Sequence, residues 1–350
     1  MRTLHVRRLG LVEYADGLAM QKLLVEARAR GEVPDTLLLL EHPRVITLGR
    51  GAKEANILLP REELERRGFE IWETDRGGDV TYHGPGQLVG YPVLDLKPDR
   101  KDVRKYVASV EELMIRAARD FGVAAERSAG RTGVWTRSGK LGAIGVHISR
   151  WITSHGFALN VGTDLRDFAA IVPCGIGEAG VASLESLLGK APSMAEVEKT
   201  VSARAGEVWE SEVSELSFEL RTVSVAVTRE DGRVLLLKRA PERGGFWQIL
   251  TGGIEPGESP LQAAAREVSE ETGFNGELRD LGYRHSFALG ERLLFAEETA
   301  FALQAAGEPK LSAEHIEHRW CTLEEAEQLL PFAGLRRAVR RALSSAMPLN

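Results

Sequence analysis

At 350 residues, with a formal net charge of −6, 43% hydrophobic and 27% charged residues, the chain has ordinary globular composition, and no run approaches the ~20 apolar residues that a membrane helix needs. The length exceeds what one core serves at roughly 100 to 200 residues per domain, so two domains are expected. Only two cysteines, Cys174 and Cys321, and a start without an apolar stretch argue against a disulfide framework and a secretory leader, so a cytoplasmic location is expected.

Residues 36–40 form a short buried-strand pattern that runs into a loop at Glu41, His42 and Pro43. Residues 101–121 carry Val103, Val107, Val110, Leu113, Met114 and Ala117 at helical spacing and stop before Gly122, which predicts an amphipathic helix. Strand-like runs at 133–136, 143–148 and 157–161 make the first part a mixture of helix and sheet, of the α/β (α+β) class. A further helical pattern covers 193–209. Residues 210–219 are polar and acidic and read as a linker, before TVSVAVT at 222–228 opens a new strand with a turn at Asp231 and Gly232. Domains are expected at 1–210 and 217–350.

Charge follows the same seam. Residues 1–210 hold 29 basic and 29 acidic side chains, and the remainder holds 16 basic against 22 acidic. An acidic half is a poor match for a phosphate backbone, so nucleic acid is not expected as a partner, and without a long apolar run neither is a membrane.

The most distinctive stretch of the first part is TDRGGDVTYHGPGQLVGYPVLDL at 74–96. Its glycines expose backbone amides and allow close ligand approach, although a plain tight turn has the same composition. Cys174 sits between Pro173 and Gly175, a loop setting that suits a reactive thiol better than a packed one. A free thiol has a pKa of about 8.5, and a nearby ammonium raises its thiolate fraction. Lys140 is the candidate ammonium. They are 34 positions apart, which leaves open whether the two meet.

In the second part, GGIEPGESPLQAAAREVSEETGF at 252–274 predicts a capped helix, with Ser259 as N-cap, Pro260 in the first turn and Gly273 as terminator. Glu267, Glu270 and Glu271 then share one face at i, i+3 and i+4. Three like charges on one face call for a cation, and an all-oxygen set suits Mg²⁺ or Mn²⁺ together with substrate phosphates. The chemistry this implies is metal-assisted attack of water on a diphosphate. Trp247 reads as core, Cys321 as a small packed residue, and His285, His315 and His318 as loop or surface residues.

The 252–274 run matches the Nudix pattern at every defined position, and about 130 residues resemble that family. The resemblance implies an α/β/α sandwich in which Glu267, Glu270 and Glu271 carry Mg²⁺ or Mn²⁺. Gly252 opens the motif, Glu258 supports the site and Arg266 orients a carboxylate. It also implies a small nucleotide-type substrate, a nucleoside diphosphate linked to another moiety. Phe246, Trp247, Gln248 and Thr251 look like the approach seen in dihydroneopterin triphosphate hydrolases.

Over about 200 residues, EHPRVITLGR (41–50), the RGG…TYHGPGQ loop, Lys140, HGFALNV and PCG occur in an order that resembles the lipoyl(octanoyl) transferases. That resemblance implies the mixed-sheet fold shared with lipoate and biotin protein ligases, with Cys174 as acyl-thioester nucleophile and Lys140 lowering its pKa. The substrate-binding positions it implies are Arg76, Gly77, Gly78, Asp79, Val80, Thr81, Tyr82 and His83, then Ala143, Ile144 and Gly145, and Gly156, Phe157 and Ala158. The implied donor is octanoyl-acyl-carrier protein. The implied acceptors are the lipoyl domains of 2-oxoacid dehydrogenase E2 subunits and the glycine cleavage H protein, and no cofactor is needed for transfer. Backbone amides near Gly175 or at Gly77 and Gly78 are candidate oxyanion donors, and His83 has no assigned role. The rival reading is an ATP-dependent lipoate- or biotin-type ligase with a non-catalytic, nucleotide-sensing Nudix domain.

Overall fold

The structure is a computed structural model that describes residues 2–172, 180–290 and 293–344. It divides into two compact units, Met1–Ser217 and Phe218–Asn350. No helix among the described residues is long and apolar enough to cross a membrane.

The first unit begins with β1 (Arg2–Leu11), α1 (Tyr14–Arg30), β2 (Asp35–Glu41), β3 (Val45–Leu48) and α2 (Arg61–Arg66). It continues through β4 (Glu70–Glu73), β5 (Val80–His83), β6 (Gln87–Val93), α3 (Val103–Asp120), β7 (Glu126–Ser128), β8 (Arg131–Thr136), β9 (Gly139–Ser149) and β10 (Ile152–Asn160). It closes with α4 (Leu184–Leu188), α5 (Met194–Val208) and β11 (Ser211–Leu216).

Eight strands form one mixed sheet in the order β11-β1-β2-β6-β10-β9-β8-β7. Helix α3 starts where the Asp102 carboxylate accepts the Lys105 N–H at 3.0 Å, and Gly122 at φ 79° follows its end. Val110, Leu113, Met114 and Ala117 of α3 and Val197, Val201 and Ala205 of α5 pack on Leu37, Leu39, Leu88, Phe157 and Leu159 of the sheet. Val103, expected on that apolar face, is 46% exposed: it is the first residue of the helix, and the buried face begins at Tyr106. Helix α1 packs against β6 and β10. Residues 36–40 of β2 are therefore buried throughout, the pattern of a strand covered on both faces. A second sheet, β4-β3-β5, closes over Ile46, Leu64, Phe69, Val80 and Tyr82 and carries the glycine loop.

The expected linker at 210–219 is in part a strand. Residues 211–216 pair in parallel with β1, from Arg2↔Ser211 to Arg7↔Leu216. Only Ser211 is buried and Val213 packs on the core, while the intervening acids face outward, so an edge strand carries the composition of a linker.

The second unit contains β12 (Leu220–Thr228), β13 (Val234–Arg239), β14 (Trp247–Gln248), β15 (Leu250–Gly253), α6 (Pro260–Thr272), β16 (Leu278–Leu289), β17 (Leu294–Gln304), β18 (His315–Cys321), α7 (Leu323–Leu329) and α8 (Ala333–Ser344). The sheet order is β14-β13-β12-β17-β16, with β15 on β12 and β18 on β13, and only β12 and β17 are parallel. Val223, Val225 and Val227 of β12 meet Ala263, Ala264 and Val268 of α6. Strand alternation sends Thr222 and Ser224 to the opposite face, where α8 lies and Gly334 abuts His285.

Candidate functional site

In the first unit, the glycine loop at 74–79 is held by its own arginine. Arg76 is 6% exposed, and its guanidinium donates to Thr47 Oγ1 at 3.1 Å and to the Thr47 and Gly77 carbonyls at 2.6 and 3.1 Å. Gly77 N–H donates to Val146 O at 2.9 Å, which ties the loop to β9. That amide, a candidate oxyanion donor by sequence, is therefore already committed. Gly49 must lack a side chain, since a Cβ there would sit 2.4 Å from Gly78 O.

Between this loop and the main sheet lies a cleft. Arg76, Gly78, Asp79, Val80, Thr81 and His83 line one side, and Ala143, Ile144, Gly145, Gly156, Phe157 and Ala158 line the other. Two of the expected positions are elsewhere: Gly77 is in the β9 tether, and Tyr82 packs in the small sheet's core with its hydroxyl donating to Asp167 at 2.7 Å.

Sequence reasoning missed four residues at the cleft: Tyr14, Val89, Tyr91 and His155. His155 adopts φ 53°, a left-handed backbone rare outside glycine, and its Nε2 bonds Asp75 Oδ1 at 2.8 Å. Its place immediately before Gly156 was the only signal available. The two tyrosines resemble any core aromatic.

His83 is buried and donates from Nδ1 to Gln87 Oε1 at 2.7 Å, so Nε2 is left unprotonated. Gln87 Nε2 in turn donates to Asn160 Oδ1 at 3.0 Å, and Asn160 to Ala182 O at 3.0 Å. Burial, with His42 nearby, pushes His83 down to about 3, and burial pushes His42 down to about 4, so both imidazoles are neutral.

Lys140, 8% exposed, begins a smaller adjoining cavity that shares Thr81, Ala143 and Ala158 with the cleft. Its Nζ lies 5.3 Å from the Trp135 ring centroid, and a Cβ on Gly133 would come within 2.7 Å of its Cε. Cys174 lies outside the described residues. The chain on either side of it is anchored: Val172 N–H donates to Asn56 O at 2.8 Å, and Gly180 O accepts Lys140 N–H at 2.8 Å.

In the second unit, the Ser259 capping box with Gln262 opens α6, and Gly273 at φ 70° closes it. Arg266 is the hub of the carboxylates. It donates to both oxygens of Glu258 at 2.9 and 3.0 Å, to Glu267 at 2.7 Å, to Glu270 at 3.4 Å and to Gly253 O at 2.8 Å. Its hydrogen bonds, together with that of the Glu255 N–H, hold Glu258 down at about 2. Glu267 lies directly over Gly252, where a Cβ would be 2.0 Å from its carboxyl carbon.

Glu270 is 61% exposed, and Glu271 is buried with Oε2 lacking any hydrogen-bond partner. Burial, then the neighbouring Glu267 and Glu314, push Glu271 up to about 8. Among the described residues no three His, Cys, Asp or Glu converge tightly enough to form a ready-made metal set. The orphaned Glu271 oxygen and the missing side chain at Gly252 nonetheless fit a divalent cation, which would supply the positive charge this face lacks.

Two histidines expected in loops or on the surface are in strands and buried. His285, in β16, is 4% exposed and its Nε2 is 3.7 Å from Glu298 Oε1. His315, in β18, is 5% exposed and its Nδ1 is 3.9 Å from Glu271 Oε2. Both face inward because alternate residues of a strand in a covered sheet do. His318 alone reaches the surface, bonding Glu308 at 2.9 Å. Trp247 is half-buried, with Lys238 and Arg319 flanking its ring at 5.8 and 5.3 Å, and Cys321 is fully buried.

Comparison with known proteins covers both units. Residues 13–205 match the lipoyl protein ligase A/B catalytic domain, and residues 219–343 match the NUDIX domain. An octanoyltransferase of Myxococcus xanthus is 51% identical over 355 residues, spanning 98% of this chain and 99% of that protein. An octanoyltransferase of Acidobacterium capsulatum is 58% identical over 195 residues, covering 52% of this chain and 79% of its own length. Among solved structures, lipoate-protein ligase A bound with ATP superposes with a TM-score of 0.50 at 17% identity, covering 62% of this chain and 90% of its own, a likeness of fold. The chain therefore belongs to the lipoyl protein ligase A/B catalytic domain family, as a relative of the octanoyltransferases and an acyltransferase that also carries a Nudix hydrolase domain.

Proposed function

We propose that the first unit transfers octanoyl from octanoyl-acyl-carrier protein to the lipoyl-domain lysine of 2-oxoacid dehydrogenase E2 subunits and glycine cleavage H protein, through a thioester on Cys174. The observation that carries this reading is the cleft between the glycine loop and the small residues of β9 and β10, with Lys140 in the adjoining cavity. Lys140 is hydrogen-bonded through its backbone to the segment that follows Cys174, which supports their acting as a pair.

In the first half reaction the Cys174 sulfur attacks the acyl carbon, and the carrier's phosphopantetheine thiol leaves with the proton. In the second, the ε-amine of the acceptor lysine attacks the enzyme thioester. An amide forms, and Cys174 leaves as thiol with the amine's proton. Thioester exchange is nearly isoenergetic and amide formation drives the sequence, so no ATP enters. Lys140 favours the thiolate by its charge. Arg76 lines the cleft and also braces the loop, through its bonds to Thr47 and Gly77.

The second unit hydrolyses a nucleoside diphosphate linked to another moiety. Glu267, Glu270 and Glu271 would hold Mg²⁺ or Mn²⁺, which when bound neutralises phosphate charge and lowers the pKa of water. Arg266 keeps Glu258 and Glu267 in register beside Gly252.

Transfer from octanoyl-carrier protein to a lipoyl domain without ATP, abolished in Cys174→Ala, is the expected result. Retained activity in that variant would sink the thioester, and an ATP requirement would favour the ligase reading. For the second unit, a nucleoside diphosphate panel with Mg²⁺ should be hydrolysed by the wild type and at least ~100-fold more slowly by Glu270→Gln. Equal rates would leave the carboxylate helix without a catalytic role.

A further inference from the structure

We propose that His315 is a positioning residue for Glu271, set in its working tautomer by Gln248, and that this relay tunes cation affinity in the second unit. The inference rests on the reading of Glu271 as a cation ligand. The His315 side chain is 0% exposed and that of Glu271 is 7% exposed. His315 Nδ1 and Glu271 Oε2 face each other at 3.9 Å, and neither atom has a hydrogen-bond partner among the described residues. Two orphaned polar atoms aimed at one another inside a core point to an arrangement that completes itself when something else binds.

The direction of the relay follows from Gln248. Its Nε2 lies 3.3 Å from His315 Nε2, and an amide nitrogen can only donate. His315 Nε2 is therefore the acceptor, and the ring proton sits on Nδ1, facing the carboxylate. Gln248 is 3% exposed and pairs with Leu237 on β13, while His315 pairs with Arg239 on the same strand, so the backbone holds both partners. A shift of about 1 Å by the Glu271 carboxylate closes the gap to hydrogen-bond length. One oxygen is then fixed by His315, and the other is left for the cation. An imidazole that orients a ligating carboxylate is an outer partner of the kind whose loss typically costs 10- to 100-fold in affinity.

The test is Mn²⁺ binding by the full-length chain, measured by calorimetry and by the electron paramagnetic resonance of free Mn²⁺. The scored isotherm is the one lost in Glu270→Gln, and each variant's melting temperature is recorded without Mn²⁺. His315→Ala is expected to weaken binding roughly 10- to 100-fold. His315→Asn, which can place an amide N–H where Nδ1–H stands, should recover to within a few-fold of wild type. Gln248→Glu leaves His315 in place but accepts a hydrogen bond from an Nε2–H, which turns the Nδ1 lone pair toward the Glu271 carboxylate, and it should weaken binding as His315→Ala does. Wild-type affinity in both His315→Ala and Gln248→Glu, or no recovery in a folded His315→Asn, overturns the relay while leaving the cation reading intact. A wild-type chain that binds no Mn²⁺ overturns both.

Discussion

Around the cleft beside the glycine loop, burial decides protonation. His42 bonds Val12 O and the Tyr91 hydroxyl at 2.7 Å each, and His83 bonds Gln87, so both rings are satisfied as neutral groups. Their folded pKa values, about 4 and about 3, lie below the ordinary 6.5. The unfolded chain thus binds protons below pH 6.5 that the folded chain refuses, and stability falls as pH drops through that window. By pH 5 each histidine should have cost about 2 kcal/mol relative to pH 7.5, on the order of 4 kcal/mol for the pair. Urea unfolding of the wild type and of His83→Gln at the two pH values measures this, and the variant should lose about 2 kcal/mol less than the wild type. Equal changes in the two would contradict the neutral assignment of His83; the comparison is needed because Glu198, raised to about 7, and Glu271, raised to about 8, add stability over the same window. None of this was legible in the residue types, because a histidine after Glu41 or Tyr82 carries no mark of how deeply the fold buries it. The same holds for Arg76, which the family resemblance placed among the substrate-binding positions and which both lines the cleft and braces the loop on Thr47.

Among the elements, α6 was the most legible. Its N-cap, proline, carboxylate spacing and terminating glycine all act within a few residues, so local chemistry specifies them without reference to the rest of the fold. Two substitutions test that autonomy. Gly273→Ala meets no clash, its nearest neighbour being Lys310 side-chain carbons at 3.7 Å, but it forces a left-handed φ on a residue with a Cβ, costing about 1 kcal/mol. Ser259→Ala removes a capping-box acceptor, also about 1 kcal/mol. The helix spans Pro260–Thr272, so the two ends are far enough apart for the costs to add, and urea unfolding of the double variant should report about 2 kcal/mol. A marked departure from that sum would mean the ends communicate through the packed face. The strand Ser211–Leu216 was illegible for the opposite reason: its partner, β1, is some two hundred residues away, and an edge strand needs little apolar content.

For the chain as a whole, the pairing of β11 with β1 sets where the first unit can be cut. A chain ending at residue 217 keeps that pairing and the Arg7 bond to Ser217 O at 2.9 Å. One ending at 210 leaves β1 as a bare edge, an invitation to intermolecular pairing. The longer fragment should elute as a single species and melt cooperatively, and the shorter should aggregate or melt at lower temperature. Indistinguishable elution and melting would show that the strand contributes nothing to the unit.

Residue order alone was enough to identify both families, to specify the carboxylate helix with its caps, and to separate an acidic second half from a balanced first. Those properties depend on spacing along the chain or on composition, and neither needs distant contacts. The meetings between distant residues came only with folding: Tyr14, Tyr91 and His155 at the cleft, Arg76 on Thr47, Lys140 against the segment beyond Cys174, and His315 facing Glu271. Each joins residues from parts of the chain far apart in sequence, and its geometry is fixed by sheet register and packing, which no local pattern encodes.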